Sequence, residues 1–161
     1  MSQSNRILEL QINDAEEMHA LGIRLAKEFR AGDLIVLVGP LGAGKTTLTR
    51  GVGEGLDAIG NVSSPTFVIA RTHQRENSAV PLVHVDAYRL GSADELDDLD
   101  IDFANSIVVV EWGKGMLDGV SENWLEVEIA RESAVVETED EADVRDVKIT
   151  SFGDRWKSVT F

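Results

Sequence analysis

Residues 34 to 56 constrain this chain more tightly than any other stretch. Leu34-Ile35-Val36-Leu37-Val38 is a short, unbroken aliphatic run flanked by Gly32 and Gly39. Five such residues are too few for a stable helix and match a strand buried on both faces, the setting of a parallel sheet. A glycine-rich turn follows at once, and then Leu48, Val52 and Leu56 recur at helical spacing. Strand, tight turn and helix in immediate succession open a βαβ unit, which predicts an α/β fold with a mostly parallel sheet flanked by helices.

The turn itself carries chemistry. Gly39, Gly44, Lys45 and Thr46 match the spacing G-x-x-x-x-G-K-[ST] of a phosphate-binding loop, with Leu41, Gly42 and Ala43 between them. Glycines let backbone amides curl around phosphate oxygens where a Cβ would intrude. The helix that starts at Lys45 directs its unpaired amides and positive dipole end at the same point. Lys45 is placed to neutralise β- and γ-phosphates, and the Thr46 hydroxyl to ligate Mg2+. Thr47 completes the first helical turn. A nucleoside triphosphate with magnesium is the ligand this pattern predicts.

Turnover needs more than binding. A carboxylate at the end of a neighbouring strand has to hold the magnesium shell or orient the attacking water. Asp86 ends the apolar run that begins at Leu82, and Glu111 ends Ile107-Val108-Val109-Val110. In an open parallel sheet both carboxyl ends point into the crevice that receives the phosphates. Thr66, in Ser63-Ser64-Pro65-Thr66, is the candidate hydroxyl for sensing the γ-phosphate; the competing reading is a β-former leaving a proline turn. Arg89 can touch phosphate, dock a partner or pair with the acids from Asp94 onward. Trp112 is either a core aromatic or a nucleotide or partner contact. His84, inside an apolar strand, reads as packed.

Elsewhere the chain supplies ordinary framework. Ile7, Leu8 and Leu10 predict a short first strand. Asn13 with Glu16 three residues on predicts a capped helix, with Met18, Leu21, Leu25 and Phe29 inward and Gly32 at its end. Gly51, Gly53 and Gly55 weaken the helix after the loop by propensity alone. A strand is expected over 67–72, and Ser92 to Glu95 opens a short acidic helix. Leu125, Val127 and Ile129 alternate, as do Val147 and Ile149, so antiparallel strands are expected at the C-terminal edge of the sheet. An acid-rich mobile connection, Glu137 to Asp146, should join them. No repeat or linker divides the chain, which reads as one domain over 1–161.

Charge narrows the partners. With 29 acidic against 15 basic residues the chain carries −14. Affinity for nucleic acid comes largely from lysines and arginines displacing counterions, so direct binding of DNA or RNA is not expected. A protein with a basic face fits better. There is no cysteine, which suits a reducing cytoplasm. No signal or membrane-spanning stretch is visible.

Several nucleotide-binding classes lack support. No Asn-Lys-x-Asp guanine motif is present, nor a Leu-Ser-Gly-Gly transporter signature. The arginines after Glu111 number only Arg131, Arg145 and Arg155, too few for the lid of a small-molecule kinase. What remains resembles the bacterial TsaE family. Gly39-x-Leu41-Gly42-Ala43-Gly44-Lys45-Thr46-Thr47, Ser64-Pro65-Thr66-Phe67, His84-x-Asp86-x-Tyr88-Arg89-Leu90 and Val110-Glu111-Trp112 follow in that family's order and spacing. The resemblance implies a small P-loop ATPase required for threonylcarbamoyladenosine in tRNA, working with the TsaB–TsaD pair and meeting tRNA only through it. It also implies Lys45 on the phosphates, and Thr46, Glu111 and Asp86 at magnesium or water. Thr66 would sense the γ-phosphate, and Trp112 and Arg89 would contact nucleotide or partner. Pro40 departs from the family, which usually has an acid there. A small-metabolite kinase and a nucleotide-gated binding module with little turnover are the alternative readings.

Overall fold

The computed structural model describes residues 4–40, 44–60, 70–87, 95, 98–111, 121–131, 144–157 and 159. Its elements run β1 (Ser4–Ile12), α1 (Ala15–Ala26), β2 (Leu34–Val38), α2 (Lys45–Gly55), β3 (Ala70–His73), β4 (Leu82–Asp86), β5 (Ile107–Glu111), β6 (Trp124–Arg131) and β7 (Arg145–Phe152). All strands join one sheet in the order β1-β7-β6-β2-β5-β4-β3. The four central strands are parallel: β2 pairs with both β5 and β6, and β4 pairs with β5. Antiparallel pairs β6–β7 and β7–β1 extend one side, and β3–β4 closes the other. The fold is therefore the expected α/β type, a P-loop-like sheet that is parallel in the middle and antiparallel toward its edges.

Burial explains the pairing. β2, β4 and β5 are covered on both faces, and Ile107 through Val110 are wholly inaccessible. One face packs against α1 and α2 in a large core that includes Met18, Leu25, Leu48, Val52, Leu37, Val109, Val127 and Ile149. On the other, Leu34, Val36, Val83, Val85, Val108 and Val110 form a second cluster, with Leu99, Ile101 and Phe103 packed on it.

The two helices approach unusually closely. A Cβ on Gly22 would lie 2.3 Å from the Leu48 carbonyl oxygen, and one on Gly51 2.1 Å from that of His19. Those glycines are therefore required by packing, which accounts for glycine in a helix whose propensity it lowers.

Several sequence expectations shift. The cap of α1 is Asp14, one residue after Asn13: Asp14 Oδ1 accepts the Glu17 amide at 2.8 Å, while the Glu17 carboxylate accepts the Asn13 amide at 2.8 Å. The helix ends at Ala26, so Phe29 is buried from the following turn and Gly32 (φ +94°) belongs to the approach to β2. β1 is longer than expected and is the sheet edge, with β7 one strand inside it. Arg145 and Asp146, read as part of the acidic connection, already belong to β7. Of the short acidic helix expected through Leu99 only Glu95, Asp98 and Leu99 fall among the described residues, the last two in a turn, and of the strand expected over 67–72 only Ala70 to Thr72.

An ion pair ties the C-terminal end to the front of the sheet. Arg155 donates from Nε to Asp33 Oδ1 at 2.9 Å, and from Nη2 to both Asp33 Oδ2 at 3.0 Å and the Glu28 carbonyl at 2.7 Å. Beside it Trp156 is buried against Phe29, their rings 6.2 Å apart and nearly perpendicular.

Candidate functional site

Parallel pairing brings three strand ends to one place. Leu37 lies opposite Glu111 across β2–β5, and Glu111 lies opposite Asp86 across β5–β4. The Ala87 amide donates to the Glu111 carbonyl at 2.8 Å, so the pairing continues to the last residue of each strand. Alternation along a strand then puts both carboxylates on the face covered by α1 and α2, where the glycine loop feeds the start of α2. The sequence could name these acids as strand ends, but their alignment depends on register.

Gly44 is the N-cap of α2 with φ +114°, a left-handed conformation that side chains disfavour. Its φ brings the chain into the helix with no side-chain cap, so the first-turn amides remain directed outward. Lys45 sits at this first turn and is 5% exposed. Its ammonium donates to the Gly39 carbonyl and, at 3.1 Å, to the Pro40 carbonyl. Burial pushes the Lys45 pKa below the usual lysine value, while the negative charges of Glu111 and Asp86 pull it back up. The lysine therefore spans the loop and lies within the field of both carboxylates. Thr46 and Thr47 are half-buried beside it. One turn on, Thr49 Oγ1 donates to the Lys45 carbonyl at 2.8 Å.

Glu111 is 3% exposed and has a partner that the sequence reading did not find. His84 Nε2 lies 2.5 Å from Glu111 Oε2, with the His84 side chain fully inaccessible. His84 is indeed packed in an apolar strand, yet it is also bonded to a site carboxylate. The two-residue step from His84 to Asp86 places both on one face, but the contact with Glu111 depends on the register of β4 against β5.

The donor set suits a hard cation. Among the described residues no group of three or more histidine, cysteine or acidic side chains forms a metal cage. Two carboxylates and a hydroxyl near a phosphate loop instead match the way Mg2+ is held, by few protein oxygens with phosphate and water completing the shell. Thr46, Glu111 and Asp86 fit that role. Leu41, Gly42, Ala43, Thr66, Arg89 and Trp112 lie outside the described residues.

A parallel sheet with a strand–glycine loop–helix unit, and acids on the adjacent strand ends, defines the P-loop class of α/β proteins. A family model described as "Threonylcarbamoyl adenosine biosynthesis protein TsaE" matches residues 12–140, and the chain belongs to that family, which is involved in tRNA threonylcarbamoyladenosine biosynthesis. The tRNA threonylcarbamoyladenosine biosynthesis protein TsaE of Streptomyces coelicolor is 56% identical over 142 residues, 86% of this chain and 93% of that protein. Its namesake from Bacillus subtilis is 34% identical over 145 residues, 88% of this chain and 84% of that protein. A crystal structure of Bacillus subtilis YdiB is similar with a TM-score of 0.73 at 28% identity, over 96% of this chain and 91% of that one. No helix among the described residues is long and apolar enough to cross a membrane.

Proposed function

We propose that this chain is a Mg2+-dependent ATPase of tRNA threonylcarbamoyladenosine synthesis, acting in the cytoplasm on the TsaB–TsaD complex and driving or resetting it. The observation that carries the reading is the alignment of Leu37, Glu111 and Asp86 at one end of the parallel strands, beside a buried Lys45. Each part then has a task. The amides of the loop and the α2 N-terminus cradle the phosphates. Lys45 exchanges carbonyl partners for β- and γ-phosphate oxygens, a stronger, charge-assisted bond. Thr46, Glu111 and Asp86 would hold Mg2+, which when bound neutralises charge developing on the phosphates. Asp86 would also help to orient the attacking water. Thr66 as γ-phosphate sensor, and Trp112 and Arg89 as nucleotide or partner contacts, rest on the family motifs.

The charge of −14 supports leaving tRNA to the partners. Purified alone, the chain should not bind tRNA tightly at physiological salt.

Phosphate release from ATP, measured with and without TsaB–TsaD, tests the central claim. Partner-dependent release supports it. Negligible turnover in both conditions would leave a nucleotide-gated module, and phosphate appearing on an added metabolite would make the chain a kinase. Glu111→Ala should keep nucleotide affinity and lose turnover; normal hydrolysis by that variant would refute the magnesium assignment.

A further inference from the structure

The His84–Glu111 contact has no role in the chemistry just described, yet both side chains are buried and one is a proposed magnesium ligand. An ionised carboxylate accepts only, so the bond requires the proton of His84 on Nε2. His84 lies in the middle of β4 with its side chain fully inaccessible and Val109 opposite it in β5, so the ring has little freedom to find another acceptor. A hydrogen bond to a charged group in such a low-dielectric setting is among the stronger kinds. It occupies Oε2 and restrains the rotation of the carboxylate, which leaves Oε1 for other partners.

The same strand carries Asp86 two residues on. His84 and Asp86 therefore share a face and a rigid backbone, and each faces β5, His84 beside Val109 and Asp86 beside Glu111. Any slip of β4 against β5 moves the orienting imidazole and the second carboxylate together. Ligating carboxylates in metal sites are commonly held by such outer partners, whose loss lowers metal affinity or activity by about 10–100-fold.

We propose that His84 is the positioning residue of Glu111, holding its carboxylate so that one oxygen faces the loop and Asp86. The proposal rests on the ATPase reading for its consequence in turnover, but its geometry can be tested without turnover.

Two variants of similar volume separate orientation from packing. His84→Gln retains an N–H donor in reach of Glu111, whereas His84→Met fills the space without one. For each, thermal unfolding establishes the folded state. Binding of a fluorescent ATP analogue is then titrated with and without Mg2+, and ATP turnover is measured with TsaB–TsaD. Folded His84→Met should keep its Mg2+-free affinity within about threefold, need about 10–100-fold more Mg2+, and lose turnover by a similar factor. His84→Gln should recover most of both. Equal impairment of the two variants, or a His84→Met protein with wild-type Mg2+ dependence, would overturn the proposal.

A third measurement needs no variant at the histidine. In the nucleotide-free wild-type protein, 15N NMR should find His84 protonated at Nε2 with a strongly downfield proton that Glu111→Ala abolishes. An unprotonated Nε2, or a resonance indifferent to Glu111→Ala, would also overturn it. If the wild-type chain turns over no ATP, the ATPase reading fails while the Mg2+ titration and the NMR signature still decide the role of His84.

Discussion

Strands β2, β4 and β5 are buried on both faces and run out into a glycine loop or an acid, whereas β6 and the first half of β7 alternate buried and more open positions. Along β5 every residue is buried and four of five are fully inaccessible. In β7, Val147 and Ile149 are buried while Asp146 and Lys148 are exposed; in neighbouring β1, Ile7 is 52% exposed. A strand covered twice has no open side, so any chemistry it carries must sit at its end, and parallel pairing brings those ends together. The strands on the β6, β7 and β1 side contribute none of the candidate site residues, and their open face resembles that of any half-solvated sheet. One half of the sheet is a site built on strand ends, and the other is scaffold.

The largest effect expected from this division is on stability alone. Ile149→Ala, in the scaffold half, should lower unfolding free energy by about 2–5 kcal/mol. Chemical denaturation would measure it. At a temperature where the variant remains folded its turnover per molecule should equal the wild type. A loss of turnover there would mean that the antiparallel half shapes the site, and the division would fall.

Lys45→Ala should do the reverse. Stability should change little, or rise, because a buried ammonium is removed from a site that lowers its pKa. ATP turnover should fall about 10²–10³-fold, the scale for losing one preorganised charge contact, with nucleotide binding abolished in a fluorescence titration. Retained binding would show that the loop amides suffice.

Between these lies the helix layer, which covers both halves. Gly51→Ala forces a Cβ to 2.1 Å from the His19 carbonyl oxygen, so α1 and α2 must separate. Overpacking of this kind costs about 1–3 kcal/mol. Since α2 begins at Lys45, turnover should fall together with the melting temperature, unlike in either variant above. Stability loss with unchanged turnover would show that the start of α2 is held by the loop alone.

The same division explains how much was legible beforehand. Runs 34–38, 82–86 and 107–111 coincide with β2, β4 and β5, because a doubly buried strand must be apolar throughout and stops where it ceases to be. Both acids were recognisable as strand ends for that reason. Their alignment was not, since register depends on which strands pair, and so the contact from His84 to Glu111 was hidden. Asn13 and Asp14 are equally good caps with an acid three residues on, and only the backbone chooses between them. Arg155 looked like one of a few scattered arginines, because its partner Asp33 lies 122 residues away in the sequence. Gly22 and Gly51 were legible as poor helix formers but not as the points where two helices touch.

The smallest effect concerns the far side of the parallel half, where β3 covers β4. His73 is buried, its Nδ1 lies 3.4 Å from the Ile59 carbonyl, and burial lowers its pKa below the usual 6.5. That carbonyl works against the shift, and the nearby His84 and Arg71 add to it. Because the folded protein resists the proton, the unfolded chain binds more protons as pH falls below 6.5. Stability is therefore lost from that point down to the folded pKa, below which both states are protonated and the loss stops. One histidine contributes a slope of at most about 1.4 kcal/mol per pH unit within that window. His73→Gln, followed by denaturation at several pH values between 7 and 5, should flatten the profile while leaving the turnover at pH 7.5 near that of the wild type. If the slope persists in His73→Gln, another group sets the acid limit of this fold. If turnover falls as well, the buried edge of β4 is coupled to its chemical end, and the site extends along the strand past His84.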